Sequence, residues 1–340
     1  MSIFLNVFIK SISFFLSILT IIIITSLSVS FFTDRNNQFT KLYGEESSSN
    51  IIAIIELNGL IIETSSELSN LTNPFIISPQ SIKKNFEEIK KISPKAIIFS
   101  MNSPGGTVSA SKKLYDIIDS YKKNNKNTKI FIHTEELLAS GGYWVATVAH
   151  GIYANYGSIT GSIGVKGPDW FFYDKPKTIS TGIFGNTIDT ENGIKVFFNT
   201  AGKSKDIFNP FRKPNKKELE HLQNMVNEIY SDFIRIVSKE RKIETNTLEE
   251  DIGALIFTSK HATELNLIDG ELNLEELIDK IIKENDFTDY KVIKIINEKN
   301  SWLREILTTS YNKKENSFKY ACLNLRSSIT AVLSYEATGC

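Results

Sequence analysis

The sequence predicts an α/β body carried behind an N-terminal apolar helix. Three observations predict it. A run without charge extends from Ser11 to Thr33; short β-branched apolar runs recur at 51–57, 95–101 and 129–134; and amphipathic helical stretches lie between them at 78–92 and 111–124. Strands that alternate with helices pack as helices on a sheet.

The first run, "SISFFLSILTIIIITSLSVSFFT", is bounded by Lys10 and by Asp34-Arg35. An apolar stretch of roughly 20 residues is what a helix needs to cross a hydrocarbon core about 30 Å thick. It is longer than the ~7–15 apolar residues of a secretory signal and lacks an Ala-x-Ala site, so an uncleaved anchor is expected, although the small residues of "SLSVS" also admit cleavage. A lone anchor with a short head most simply leaves the N-terminus in the cytoplasm and the body outside, in a single pass of the inner (cytoplasmic) membrane. The expected organisation is an anchor over 1–34, a polar tether over 35–50, a body over 51–280 and an appendage over 281–340 whose role is unread.

Within the body, "IIAIIEL" (51–57) ends at Asn58-Gly59 and reads as a buried strand and turn. "SPQSIKKNFEEIKKI" (78–92) opens Ser-Pro and places Ile82, Phe86 and Ile89 on one helical face. "KAIIFSM" and "KIFIHT" are further strands, and Leu114, Ile117, Ile118 and Tyr121 give 111–124 an apolar side. "GIYANYGSITGSIGV" (151–165) is strand and turn, and Lys166 to about Gly193 is irregular and holds Trp170, Phe171, Phe172 and Tyr173. The longest helical pattern, 216–242, spaces Leu219, Leu222, Met225, Val226, Ile229, Phe233 and Ile236 by three or four, and "TSKHATELNLIDG" is a short helix and turn.

Composition excludes some functions. Lys+Arg and Asp+Glu each total 39, so the net charge is zero and the basic excess of a nucleic-acid binder is absent. Cys322 and Cys340 are no disulfide framework, and none of the four histidines, His133, His150, His221 and His261, has metal-ligand spacing, so neither metal nor cofactor is expected.

Three stretches can carry chemistry. Asn102-Ser103-Pro104-Gly105-Gly106 ends a strand; it is either a plain tight turn or a place where N–H groups point at an oxyanion. Ser140, in "ASGGYWVA", either caps a helix or is a nucleophile presented at a helix start, and Gly141-Gly142 are poor helix formers that a simple cap does not need. "GKSKDIFNPFRKP" (202–214) carries Lys203 and Lys205, either solvated surface charges or a source of general base. A lysine serves as base where burial lowers its pKa from about 10.4 to about 7–8. That drop, roughly 3 units, asks about 4 kcal/mol of the environment.

Together, "NSPGG", "ASGGYWVA", "TGSIGV", "GKSKDIFNPFR" and "ATELNLIDG" resemble, in this order, the signal peptide peptidase A family of membrane-anchored Ser–Lys proteases, in its short single-copy form. The resemblance runs from about residue 51 to 280 and implies a Clp protease/crotonase-like fold. It implies Ser140 as nucleophile, Lys205 (in preference to Lys203) as general base, Ser162 of "TGSIG" as the residue that orients the lysine, and an oxyanion hole from Gly105 or Gly106 with Gly141. It further implies peptide substrates such as signal-peptide remnants, and a ring of identical subunits that share active sites. The aromatic segment before "GKSKD" and the "GALIFTSKHA" turn depart from the family pattern. A crotonase-type acyl-CoA enzyme and an idle membrane-anchored scaffold are the alternatives.

Overall fold

The computed structural model describes residues 2–33, 39–63, 75–172, 180–182, 185–187, 201–295 and 330–332. In chain order its elements are α1 (Ser2–Thr33), β1 (Phe39–Gly44), β2 (Ile51–Asn58), β3 (Leu60–Ile61), β4 (Ile76–Ile77), α2 (Pro79–Ile89), β5 (Ala96–Asn102), β6 (Gly105–Thr107) and α3 (Val108–Asn124). Then come β7 (Lys129–Thr134), β8 (Leu137–Ala139), α4 (Gly141–Ala146), β9 (Gly151–Ala154), β10 (Ile159–Gly161), the hairpin β11 (Ser180–Gly182) and β12 (Gly185–Thr187), and α5 (Lys216–Arg241). A π-helical turn (Thr247–Ile252), β13 (Ile256–Thr258), α6 (Ser259–Glu264), β14 (Gly270–Glu271), α7 (Leu274–Glu284), β15 (Lys291–Ile295) and β16 (Thr330–Val332) complete the series. Tyr173, Gly193, Cys322 and Cys340 lie outside the described residues.

The main sheet has seven strands in the order β1-β15-β2-β5-β7-β9-β14, and every pair is parallel except β1 with β15. Parallel strands buried on both faces read as continuous apolar runs, which is why "IIAIIEL" shows no polar alternation. Successive side chains still part to opposite faces. Ala53, Ile55, Ile97 and Phe99 join the core with Phe86 of α2 and Leu114 and Ile118 of α3; Ile52, Ile54, Ala96 and Ile98 pack with Leu277, Ile278 and Ile281 of α7. Each such aliphatic or aromatic side chain contributes about 1.5–3 kcal/mol by leaving water.

The sheet reaches further along the chain than the expected body. Residues 39–44, inside the expected tether, form its β1 edge, and β15, inside the expected appendage, lies between β1 and β2. Parallel pairing joins residues far apart in sequence, so neither strand announces its partner locally. α3 begins at Val108, earlier than expected, because the Thr107 side chain accepts the Ala110 N–H as a cap. In α5 the apolar pattern is only partly used: Phe233, Ile234 and Val237 are buried, whereas Leu219 and Met225 are exposed.

Two smaller sheets sit beside the large one, β16-β6-β3-β4 and β13-β10-β8. A bridge between Ser103 and Leu138 ties the end of β5 to β8. α1 contains a 19-residue apolar stretch, Val7–Thr25, none of it buried. At 1.5 Å per residue that stretch is about 29 Å long, the thickness of a hydrocarbon core. The Ser13, Ser17, Thr20 and Thr25 hydroxyls donate to carbonyls one turn back, which leaves them satisfied without water.

Candidate active site

β8 and β10 run parallel and in register, Leu137 opposite Ile159 and Ala139 opposite Gly161. The next residue on each strand is a serine with positive φ, 54° at Ser140 and 55° at Ser162. The Ser140 N–H donates to Gly161 O at 2.8 Å, and the Ser162 N–H donates to Leu255 O at 2.6 Å. Two hydroxyl-bearing residues thus leave the same end of neighbouring strands, which lie about 4.8 Å apart in any sheet. Gly161 is required between them. Its φ is +124°, and a Cβ there would stand 2.7 Å from Leu255 O. "GALIF" is the segment that supplies that carbonyl and, as β13, pairs with β10.

Ser140 is 1% exposed and occupies the cap position of α4, yet its side chain makes no cap hydrogen bond. Its φ 54°, ψ −121° lies outside the left-handed helical region as well as the common ones, a conformation that costs a residue with a Cβ about 1–3 kcal/mol. Strain held at a buried serine that caps nothing points away from the plain helix-cap reading. Among the described residues no acceptor is present for the Gly141 N–H, so a donor is free beside the hydroxyl.

The "NSPGG" turn is built against this point. The Asn102 side-chain oxygen accepts from the Thr134 hydroxyl at 3.1 Å and from the Glu135 and Glu136 N–H groups at 3.1 and 2.9 Å, pinning the β7–β8 connection. The fully buried Ser103 hydroxyl donates to Gly59 O at 2.7 Å and accepts the Gly105 N–H at 3.1 Å. Gly105's amide is therefore occupied within the turn. Gly106 packs so closely on β3 that a Cβ would lie 1.9 Å from Ile61 O. A Cβ on Gly142 would meet Ser103 Cβ and O at 3.1 Å, so the helix start and the turn are in direct contact.

The lysine-bearing segment is held elsewhere. Lys203 and Lys205 are exposed, and the Lys205 ammonium has no partner among the described residues. Around it the loop is fixed. Arg212 donates through Nε and Nη2 to both Asp206 oxygens at 2.6 and 2.8 Å, and through Nη1 and Nη2 to both Glu218 oxygens at 2.9 and 2.8 Å. Asn215 and Glu218 form a reciprocal capping box at the start of α5, each accepting the other's backbone N–H at 3.0 Å. The Trp170 indole donates to Asn209 O at 3.2 Å and lies under the Arg212 guanidinium, 5.4 Å from its centroid. Hydrogen bonds from Arg212, followed by the Asn215 N–H, hold the Glu218 carboxyl down at about 2; Asp206 is likewise lowered by Arg212.

Five of the expected positions thus share one neighbourhood, with Ser140, Gly141 and Ser162 at strand ends and the Gly105-Gly106 turn packed on α4. Lys205 is exposed, on the loop that leads into α5. The roles not read from sequence are those of the pins: Asn102 and Ser103 under the turn, and Arg212, Glu218 and Trp170 under the loop. Only the Asn215-x-x-Glu218 spacing was a readable signal for any of them. Two of the histidines are engaged with the backbone, His150 Nδ1 accepting the Ile130 N–H at 2.9 Å and buried His133 bonding Leu272 O through Nε2 at 3.1 Å.

The class this chain is similar to is that of the serine peptidases. More particularly, residues 122–288 match the model of peptidase family S49. A relative from Methanocaldococcus jannaschii, provisionally named a protease, is 35% identical over 187 residues, 55% of this chain and 55% of that one. One from Enterococcus faecium, provisionally named the signal peptide peptidase SppA, is 28% identical over 274 residues, 79% of this chain and 75% of that one. Protease 4 of Haemophilus influenzae is 27% identical over 231 residues, 68% of this chain and 34% of that one. The match thus spans about half the length of the first of these relatives. A solved structure of the 1510-N membrane-bound stomatin-specific protease with a substrate peptide is 15% identical, covers 76% of this chain and 98% of its own, and superposes with a TM-score of 0.43. The acyl-CoA alternative gives way to the peptidase one, since the family matched is a peptidase family.

Proposed function

We propose that this chain is a membrane-anchored serine endopeptidase that uses Ser140 and Lys205 to cut signal-peptide remnants and other membrane-associated or unfolded segments. The observation that carries the reading is the strained, buried Ser140, which caps nothing and stands beside a free Gly141 N–H. The neutral Lys205 amine takes the proton from the Ser140 hydroxyl as its oxygen bonds to the scissile carbonyl carbon. The carbonyl electron pair moves onto oxygen, where the Gly141 and Gly106 N–H groups receive the charge, the Gly105 amide being taken by Ser103. The ammonium then gives its proton to the leaving amine, and water deprotonated by the same lysine hydrolyses the acyl-enzyme. Ser162, leaving the strand beside Ser140, orients the lysine.

The exposure of Lys205, without a partner among the described residues, supports a shared site in which this lysine serves the Ser140 of a neighbouring copy. The apolar stretch Val7–Thr25 supports an anchor that keeps the body at the membrane, on its outer side.

Complementation tests both parts. Ser140→Ala and Lys205→Ala should each abolish cleavage of a synthetic signal peptide by the full chain in detergent. Mixed and co-assembled, the two dead variants should recover activity, because some sites then pair an intact serine with an intact lysine. Turnover in either variant alone would remove that residue's role; no recovery on mixing would place both groups in one copy.

A further inference from the structure

The Asp206–Arg212–Glu218 cluster is the most densely bonded charged group among the described contacts, and the proposed chemistry uses none of it directly. One guanidinium grips two carboxylates, both oxygens of each. Planar bidentate pairs fix angle as well as distance, which a lysine ammonium cannot do. Asp206 follows Lys205 in the chain. Glu218 is 4% exposed and locked by the capping box into the first turn of α5. At the far end of α5, Phe233 stacks on Trp144 of α4 with ring centroids 4.4 Å apart, and α4 begins directly after Ser140. A single helix therefore connects the mount of the lysine to the mount of the serine.

We propose, resting on the Ser140–Lys205 reading, that Arg212 is a positioning residue for Lys205: by holding Asp206 and Glu218 at once it fixes the lysine-bearing turn on the start of α5. It has a second effect through charge. A bare Asp206 carboxylate next to the base would favour the lysine's protonated, inactive form, and Arg212 occupies both of its oxygens. Among the described residues, the other charged groups of this loop and the elements packed on it are Lys203 and Lys213 within it, Lys216, Lys217 and Glu218 at the start of α5, and the Lys166–Asp169 pair, 2.8 Å apart, on the segment that carries Trp170. Glu218 is held by the same guanidinium, and Asp169 by Lys166, so Asp206 is the carboxylate that losing Arg212 would release nearest the lysine.

The test is the pH profile of kcat and kcat/KM for signal-peptide cleavage by the full chain, with Arg212→Gln, Arg212→Lys, Asp206→Asn and Asp206→Asn/Arg212→Gln. Arg212→Gln should lower kcat about tenfold or more at neutral pH, leave KM little changed, and move the rise of activity to higher pH by about one unit. The double variant should return that rise to its wild-type pH while kcat stays low, and Arg212→Lys should keep the wild-type pH with intermediate kcat. An unmoved profile in Arg212→Gln overturns the inference. Should Arg212→Gln fail to fold, Arg212→Lys with wild-type kcat overturns it equally. Lys205→Ala, run alongside, separates the two readings: if it retains activity the base assignment falls, whereas a dead Lys205→Ala with unmoved Arg212 profiles removes only the role of Arg212.

Discussion

Ser140 and Ser162 follow opposed residues of two parallel strands and carry nearly equal positive φ, 54° and 55°. Register alone sets them side by side, because a slip of one residue would turn one hydroxyl to the other face. Ser162→Ala keeps the strand pairing and removes only the hydroxyl. We expect kcat to fall by up to about a hundredfold, as for a misplaced catalytic group, with the melting temperature nearly unchanged. Peptide-cleavage kinetics and a melting curve check this; wild-type kcat would free Ser162 of its orienting role.

Gly142 and Gly106 differ in what surrounds them. A methyl on Gly142 meets Ser103 at 3.1 Å, whereas one on Gly106 would sit 1.9 Å from a backbone oxygen. Gly142→Ala should therefore fold with a loss of about 1–3 kcal/mol and lose most activity, as the helix start shifts off the turn. Gly106→Ala should not give stable protein. Soluble yield of the body and denaturant unfolding distinguish the two.

Asn102 accepts three hydrogen bonds through one oxygen. Asn102→Ala strands those donors and should cost about 1–3 kcal/mol. Asn102→Asp retains the acceptor and should recover much of that loss, read from chemical denaturation midpoints.

Acid stability should fall in two steps. Burial holds the His133 imidazole below its usual value, so the unfolded chain binds its proton first and stability declines as pH drops through about 6.5. Glu218 is depressed to about 2, so its contribution is complete above its unfolded value near 4.5 and is lost as pH falls towards 2. Glu218→Gln should shrink the lower step to the part Asp206 contributes and leave the upper one, measured as melting temperature against pH.

Trp144 stacks on Phe233, while its buried indole nitrogen has no hydrogen-bond partner among the described residues. Trp144→Phe should be tolerated, and Trp144→Ala should cost about 3–5 kcal/mol. Activity should follow stability in the second variant, because this contact joins α4 to α5.

Local signals made much of this protein readable from its residues. The β-branched runs at 51–57, 95–101 and 129–134 appear as strands, and Ile82, Phe86 and Ile89 face the core as their spacing requires. Ser140 stood out through its glycine neighbours, and Arg212 did not, since a surface arginine carries no mark of two acidic partners six residues away on either side.

The residues by themselves determined the strands, the apolar helix at the N-terminus and the ordered motifs of a peptidase family, because each depends on neighbours within a few positions. Tertiary structure alone decided that β1 and β15 complete the main sheet, that Asn102 and Ser103 brace the turn beside Ser140, and that Arg212 clamps the Asp206 next to Lys205 onto the start of α5. The physical reason is range: propensity and periodicity act over one or two turns of chain, whereas pairing, burial and bidentate ion pairs depend on which distant segments the fold brings together.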